Sequence, residues 1–290
     1  MSRLKLTYLF AVLAVFSSCV SDGCVECTTS RMTFNYRING GANVLDQYIT
    51  HATLYIYDAT DGLLVKTMNL DQTALLQANG VDLDLKEGDY TVVSWANLGE
   101  HSHIVSENNL ADARLRNKDF HSAQIGKSND PIYWAQNSFK IVANDAKRVD
   151  MAFKSAYIDL DIIVKGVEQN DLTVHAFNVD SEYDFNRQLK ASRQFTYKPT
   201  LTYHANEYAQ KASLRLFKVS KDTPIQIEVS TKNNQKVLLD LKKILQEKYP
   251  NLDIERQEQV ALALSIEFNG IEVSVTVPSW DVDNGNVGIQ

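Results

Sequence analysis

The feature that most constrains this chain is a period of two. From residue 31 onward, short runs alternate apolar and polar side chains and are cut apart by Gly, Asn and Asp. Such alternation puts one face of an extended strand on a core and the other in water, which a helix-period pattern cannot do. Residues 32–38 alternate before Asn39-Gly40-Gly41. Residues 49–57 and 63–70 flank the turn at 58–62 and predict a hairpin. Residues 81–85 alternate strictly, 86–89 turn, and 90–96 return as the aromatic-rich strand Tyr-Thr-Val-Val-Ser-Trp-Ala. Residues 104–120 are polar and read as a partly helical insertion, after which 131–142 regain strand character.

Residues 148–164 form a long strand pattern with a polar step at Lys154-Ser155, ended by Gly166. Later strands are predicted at 172–178, 212–219, 225–230, 260–268 and 271–277. Residues 235–249 predict a helix, because apolar residues at 237, 238, 241, 244 and 245 fall on one helical face and Pro250 stops it. The economical architecture is all-β: two tandem β-sandwich domains, residues 31–155 and 156–290, the second with one helix.

The N-terminus is of a different kind. Arg3 and Lys5 precede an apolar stretch at 6–16, and Val15-Phe16-Ser17-Ser18-Cys19 closes it with small residues before a cysteine. The stretch has the length of a signal-peptide apolar region and falls short of the roughly 20 residues that span a bilayer. Residues 1–18 are read as a lipoprotein signal peptide, Cys19 as the acylated residue, and 19–30 as a lipidated tether. Several acyl chains on Cys19 hold a protein far more firmly than one, since each buried CH₂ contributes about 0.8 kcal/mol. The competing reading is an ordinary secretory peptide, since Phe16 stands where lipoboxes usually carry Leu.

Removing residues 1–18 deletes two cations and no acid, so the net charge of −7 becomes more negative. That sign argues against a nucleic-acid partner, whose first footprint is a basic patch. The three cysteines, 19, 24 and 27, all lie in the tether. Cys24 and Cys27 form a CxxC motif with no further cysteine to complete a zinc site and no βαβ pattern around it, which leaves a disulfide or two idle thiols as the preferred readings.

Other constellations fare no better. His101 and His103 lie two apart, with His121 further on, in a loop-like stretch without an acidic ligand at a fixed offset. Ile125-Gly126-Lys127-Ser128 lacks the first glycine of a phosphate loop, and 281–285 resembles the opening of a calcium loop whose closing Glu never arrives. Asp159 and Asp161 share a strand face and read as its hydrated side, with Leu160 and Ile162 pointing inward. No GxSxG elbow is present. The sequence therefore assigns no catalytic residue, no cofactor-binding residue and no metal ligand, and predicts no enzyme.

Four features together resemble the lipoprotein anchor subunits of Bacteroidota fimbriae, the FimB-like, fimbrillin-associated anchor proteins. An acid and a second cysteine, Asp22 and Cys24, follow the lipobox; Leu54-Tyr55-Ile56-Tyr57-Asp58 runs into a glycine turn at Gly62. Gly88-Asp89-Tyr90 leads to Trp95-Ala96-Asn97, and a C-terminal strand ends in Trp280 and an acidic tail. The resemblance implies transthyretin-like sandwiches, no catalysis, and a place in the cell outer membrane at the base of a fimbrium. There such a subunit would hold a fimbrial shaft subunit, a fimbrillin, and limit filament length. It further implies strand exchange, for which 272–277 has a donor's alternation, although an ordinary last strand of its own domain is the simpler reading. In that group a polymerising fimbrillin has a basic cleavage site that frees its N-terminal strand and opens the acceptor groove. Arg31 is the nearby candidate here, and cutting there would sever the lipid, so the mature chain is expected to keep its N-terminus. The alternative function is a surface glycan-binding or adhesin lipoprotein using Trp95, Trp134 or Trp280 to stack on sugars.

Overall fold

The computed structural model describes residues 30–120, 125–168, 171–190, 194–219, 223–269 and 272–276. Cys19, Cys24, Cys27, His121, Trp280 and the 281–285 stretch lie outside the described residues.

The first half is built on a seven-stranded sheet in the order β3-β2-β5-β9-β10-β1-β4. Its strands are β1 (Arg31–Tyr36), β2 (His51–Asp58), β3 (Leu64–Asp71), β4 (Val81–Asp82), β5 (Gly88–Ala96), β9 (Tyr133–Ile141) and β10 (Arg148–Ser155). The expected hairpin is present as the antiparallel pair of β2 and β3. β1 instead runs parallel to β10, in register from Arg31 with Arg148 to Tyr36 with Phe153. Single helical turns, α1 (Leu45–Tyr48) and α2 (Gln72–Leu75), sit at strand junctions. Asp71 caps α2 by accepting from the Ala74 N–H at 2.8 Å. The strand expected over 81–85 stops after two residues, because Asp84 takes a left-handed φ of 39° and turns the chain.

The second half packs two five-stranded sheets face to face. One runs β15-β16-β11-β19-β20 and the other β18-β17-β12-β14-β8. The first uses β11 (Tyr157–Lys165), β15 (Leu201–His204), β16 (Ala209–Phe217), β19 (Ala261–Asn269) and β20 (Glu272–Thr276). The second uses β8 (Ile125–Gly126), β12 (Leu172–Asp180), β14 (Gln194–Tyr197), β17 (Gln226–Thr231) and β18 (Lys236–Asp240). Leu160, Ile162, Val164, Ile227, Val229, Leu264 and Ile266 fill the space between them. The fold is all-β with sandwich packing, as expected.

Two stretches depart from expectation. Residues 104–120 hold strands β6 (Ser102–Val105) and β7 (Arg114–Asn117) and a 3₁₀ turn at Lys118–Phe120, in place of a partly helical insertion. Their third partner is β13 (Glu182–Asp184), which pairs antiparallel with β7 from far along the chain. Residues 235–249 split into strand β18 and the shorter helix α3 (Leu241–Lys248). Asp240 caps the helix by accepting from the Lys243 N–H at 3.0 Å, and β18 pairs with β17 from Lys236 to Asp240. Val237 and Leu238 thus belong to a strand; sheet pairing overrides their fit to the helical face.

Buried apolar residues form two clusters, and the chain passes from one to the other between Tyr157 and Ile158. The exchange is not strictly sequential. Tyr183, Phe185 and Phe217 pack in the first cluster, while Phe120 packs in the second.

Candidate functional site

The described residues begin at Ser30, which is bonded into the body directly. Its carbonyl accepts from the Leu83 N–H at 3.0 Å, its Oγ accepts from the Lys147 N–H at 3.0 Å, and the Arg31 N–H donates to the Lys147 carbonyl at 2.7 Å. Arg31 pairs with Asp82 at 2.9 Å, and Thr33 Oγ1 donates to Asp150. Gly80, at φ 74°, presses against the backbone of Met32, and a methyl group built there would overlap the Met32 carbonyl. β1 is therefore held between β10 and β4, one position in from the edge of its sheet.

At the other end, the expected donor segment is β20. It pairs antiparallel with β19 in its own sheet, from Ser265 with Thr276 to Asn269 with Glu272, and closes that sheet as an edge strand. An edge strand leaves one row of backbone N–H and C=O groups available to another strand.

Between the two ends lies a joint centred on Ser155 and Ala156. Glu258 Oε2 accepts from the Ser155 N–H at 2.7 Å, and the Arg187 guanidinium donates to the Ser155 carbonyl at 3.1 Å. Tyr183 Oη donates to the Lys218 carbonyl at 2.9 Å and to the Ala156 carbonyl at 3.2 Å. Lys218 Nζ donates to the Gln257 carbonyl, and burial pushes this amine down to about 8. Gln259 Nε2 donates to Tyr36 Oη at 2.6 Å and to Tyr133 Oη at 3.3 Å, and Tyr133 lies 3.1 Å from Tyr157 hydroxyl to hydroxyl. Burial raises the pKa of Tyr36, Tyr133 and Tyr157, so all three stay protonated as donors and acceptors. The loop after β13 adds a strap: Phe185 stacks edge-on against Tyr55 and packs on Trp95, and its carbonyl accepts from Trp134 Nε1 at 2.9 Å. The polar step at Lys154-Ser155 marked the place of this joint, but nothing local in the sequence marked its partners or the strap, because those contacts link residues far apart in the chain.

The chemical candidates occupy structural places. Asp159 pairs with Arg215 at 2.9 Å and Asp161 accepts from Ser213 at 2.5 Å on the outer face, while Leu160 and Ile162 are fully buried. His103 lies on β6, and among the described residues no group of three His, Cys, Asp or Glu is placed to hold a metal ion. Gly126 belongs to β8, a two-residue strand parallel to β14, which is not a phosphate loop. Trp95 is fully buried, and Trp134, partly exposed, carries the Arg187 guanidinium 5.3 Å from its ring centroid. No helix among the described residues is long and apolar enough to cross a membrane.

The described residues define an all-β structural protein with sandwich packing, in which β1 is paired on both sides and β20 lies at the edge of its sheet. The match of a family model, fimbrillin-A associated anchor proteins Mfa1 and Mfa2, over residues 22–286 makes it specific: the chain belongs to that family. Its fold is shared with a candidate polysaccharide-binding protein from Bacteroides thetaiotaomicron, at TM-score 0.72 and 14% identity over 86% of this chain and 95% of that one. The fimbrial anchor protein Mfa2 from Porphyromonas gingivalis superposes with TM-score 0.68 at 13% identity, over 87% of this chain and 97% of that one. A candidate adhesin from Bacteroides thetaiotaomicron gives TM-score 0.68 at 15% identity over 86% and 95%. At these identities the likeness is one of fold. No curated protein matches the sequence.

Proposed function

We propose that this chain is an outer-membrane lipoprotein, acylated at Cys19, that anchors a fimbrium to the cell through strand-mediated contact with a fimbrillin and limits the filament's length. Membership of the anchor family over residues 22–286 carries the reading. The lipobox ending in Cys19 supports the membrane attachment. The edge position of β20 supports a strand-based contact, in which main-chain hydrogen bonds provide affinity and alternate side chains fill pockets. The seating of β1 between β10 and β4 supports a mature chain that keeps its N-terminus and hence its lipid. Division into domains 31–155 and 156–290 and a Cys24–Cys27 disulfide belong to the same proposal, as does the absence of catalysis.

Replacing Cys19 with Ala tests it. The expected result is a folded protein released into the medium, carrying filaments with it, and filaments that stay cell-bound would remove the mechanism. Deletion of the gene should release or lengthen surface filaments. A major cell-associated species beginning at Met32 would also count against the anchor role.

A further inference from the structure

The outer face of the sheet β18-β17-β12-β14-β8 carries a depression of about 460 Å³ lined by Ile125, His175, Phe177, Asn178, Phe195, Thr196 and Glu228. That volume falls within the roughly 300 to 1,000 Å³ of small-ligand sites. Its origin is a bulge: β12 pairs with β14 at Ala176–Tyr197 and again at Val179–Phe195, so Phe177 and Asn178 together oppose Thr196 alone. Asn178 takes the left-handed φ of 59° that the bulge needs. The floor beneath is firm: Phe195 is a core residue, packed so closely by Gly126 that an added Cβ there would stand 2.8 Å from its ring.

The lining selects a ligand class. Phe177 is half-buried on β12 and Ile125 is 48% exposed on β8, giving an aromatic and an aliphatic surface with Thr196 of β14 between them. Asn178 and His175 flank Phe177 on β12, and Glu228 stands opposite His175 on β17, adding hydrogen-bonding groups around the ring. Glu228 is paired with Lys236 at 2.6 Å, so its carboxylate presents acceptors with its charge already matched. Burial and the Lys198 charge hold His175 below its usual pKa, so the imidazole is neutral and offers one donor and one acceptor. No metal-holding group of three ligands is found among the described residues. The site lies on the face of the sheet, where β12 is already paired to β17 and β14, so an added peptide strand has no ladder to join. An apolar face flanked by matched polar groups suits a molecule with C–H bonds on one side and hydroxyls around its rim, the C–H groups meeting the electron-rich face of a ring.

We propose that this depression is a saccharide-binding subsite for a neutral oligosaccharide, with Phe177 as the stacking platform and Asn178, His175 and Glu228 as hydroxyl partners. It does not depend on the anchor reading, because the pocket lies on the opposite sheet from β20. The rim cation Lys198 makes an anionic saccharide the rival ligand.

The test uses the full chain with ligand-observed saturation-transfer NMR and calorimetry. Neutral gluco-, manno- and galacto-configured oligosaccharides are compared with sialylated and sulfated ones. At least one neutral oligosaccharide should bind, with saturation arriving on its ring C–H protons. Phe177→Ala should weaken it about tenfold, equivalent to about 1.4 kcal/mol. Thr196→Trp, which fills the depression from an accessible position, should abolish binding and serves if the first variant loses its fold. Absence of any neutral binder, a preference for the anionic set, or unchanged binding in Thr196→Trp would overturn the proposal.

Discussion

Gln259 and Tyr36, 223 residues apart, meet through a 2.6 Å hydrogen bond from Gln259 Nε2 to the phenol oxygen. Tyr36 ends β1 in the seven-stranded sheet, and Gln259 stands just ahead of β19 in the second half. The same amide reaches Tyr133, whose hydroxyl meets Tyr157. One side chain thus ties β1 and β9 to the point where the chain crosses between cores.

Gln259→Leu should therefore lower stability by about 1 to 3 kcal/mol, because it leaves the Tyr36 and Tyr133 hydroxyls without their donor in a buried setting. Tyr36→Phe combined with it should cost less than the two changes added, since both remove the same bond. Chemical denaturation of the four proteins of that cycle checks this; strict additivity would mean that the bond does not couple the halves.

Phe185→Ala should cost more, about 3 to 5 kcal/mol, as expected for an aromatic ring removed from a core. Phe185 is fully buried among Tyr55, Tyr57 and Trp95 although it belongs to the second half of the sequence. Hydrogen exchange should quicken first in β13 and its ladder partners β7 and β6, because Phe185 follows β13 directly and pins it to β2, β5 and β9. Uniform loss of protection would show that the strap is not a separate unit.

The sequence was most legible where structure is local. The hairpin of β2 and β3, Trp95 in the core, and the inward Leu160 and Ile162 all follow from alternation between turn residues. It was least legible where a distant partner decides. Arg114-Leu115-Arg116-Asn117 is too polar and short to announce a strand, and it becomes one because Glu182 pairs with Arg114 and Arg116 across the ladder to β13. Val237 and Leu238 fit a helical face, and pairing with β17 makes them a strand. The depression at Phe177 was invisible for the same reason, since a bulge is a property of two strands and not of one.

Lys218 gives the fold a pH signature. It is 6% exposed, and burial lowers its amine from 10.5 to about 8 in the folded state. Between those values the unfolded chain binds a proton that the folded chain does not, so stability rises with pH, by on the order of 2 kcal/mol before tyrosines intervene. Above the ordinary tyrosine value of 10.0 the sign reverses. Tyr36, Tyr133, Tyr183 and Tyr197 are raised by burial and keep protons that the unfolded chain loses. Stability should therefore climb above pH 8 and fall beyond pH 10. Lys218→Met should flatten the climb and leave the alkaline fall in place, as read by denaturation midpoints across that range.

Gly80 is the residue on which the locked N-terminal strand turns. At φ 74°, with the Met32 carbonyl where a side chain would begin, it admits no other residue without pushing β1 away from β4. Gly80→Val adds a branched side chain to a left-handed position and should destabilise by several kcal/mol, the combined cost of strain and overlap. The loss should concentrate at β1, where Arg31 would give up its ion pair with Asp82 and the Arg31–Met32 peptide would open to protease. Limited trypsin digestion should then cut after Arg31 in Gly80→Val and spare it in the wild type. Under the proposed lipid attachment at Cys19, the same cut on cells should release a body beginning at Met32 into the medium although the lipobox is unaltered. Release there, without any change at Cys19, would tie membrane retention to the seating of β1; a variant that stays cell-bound and uncut would show that the strand is held by contacts other than this glycine.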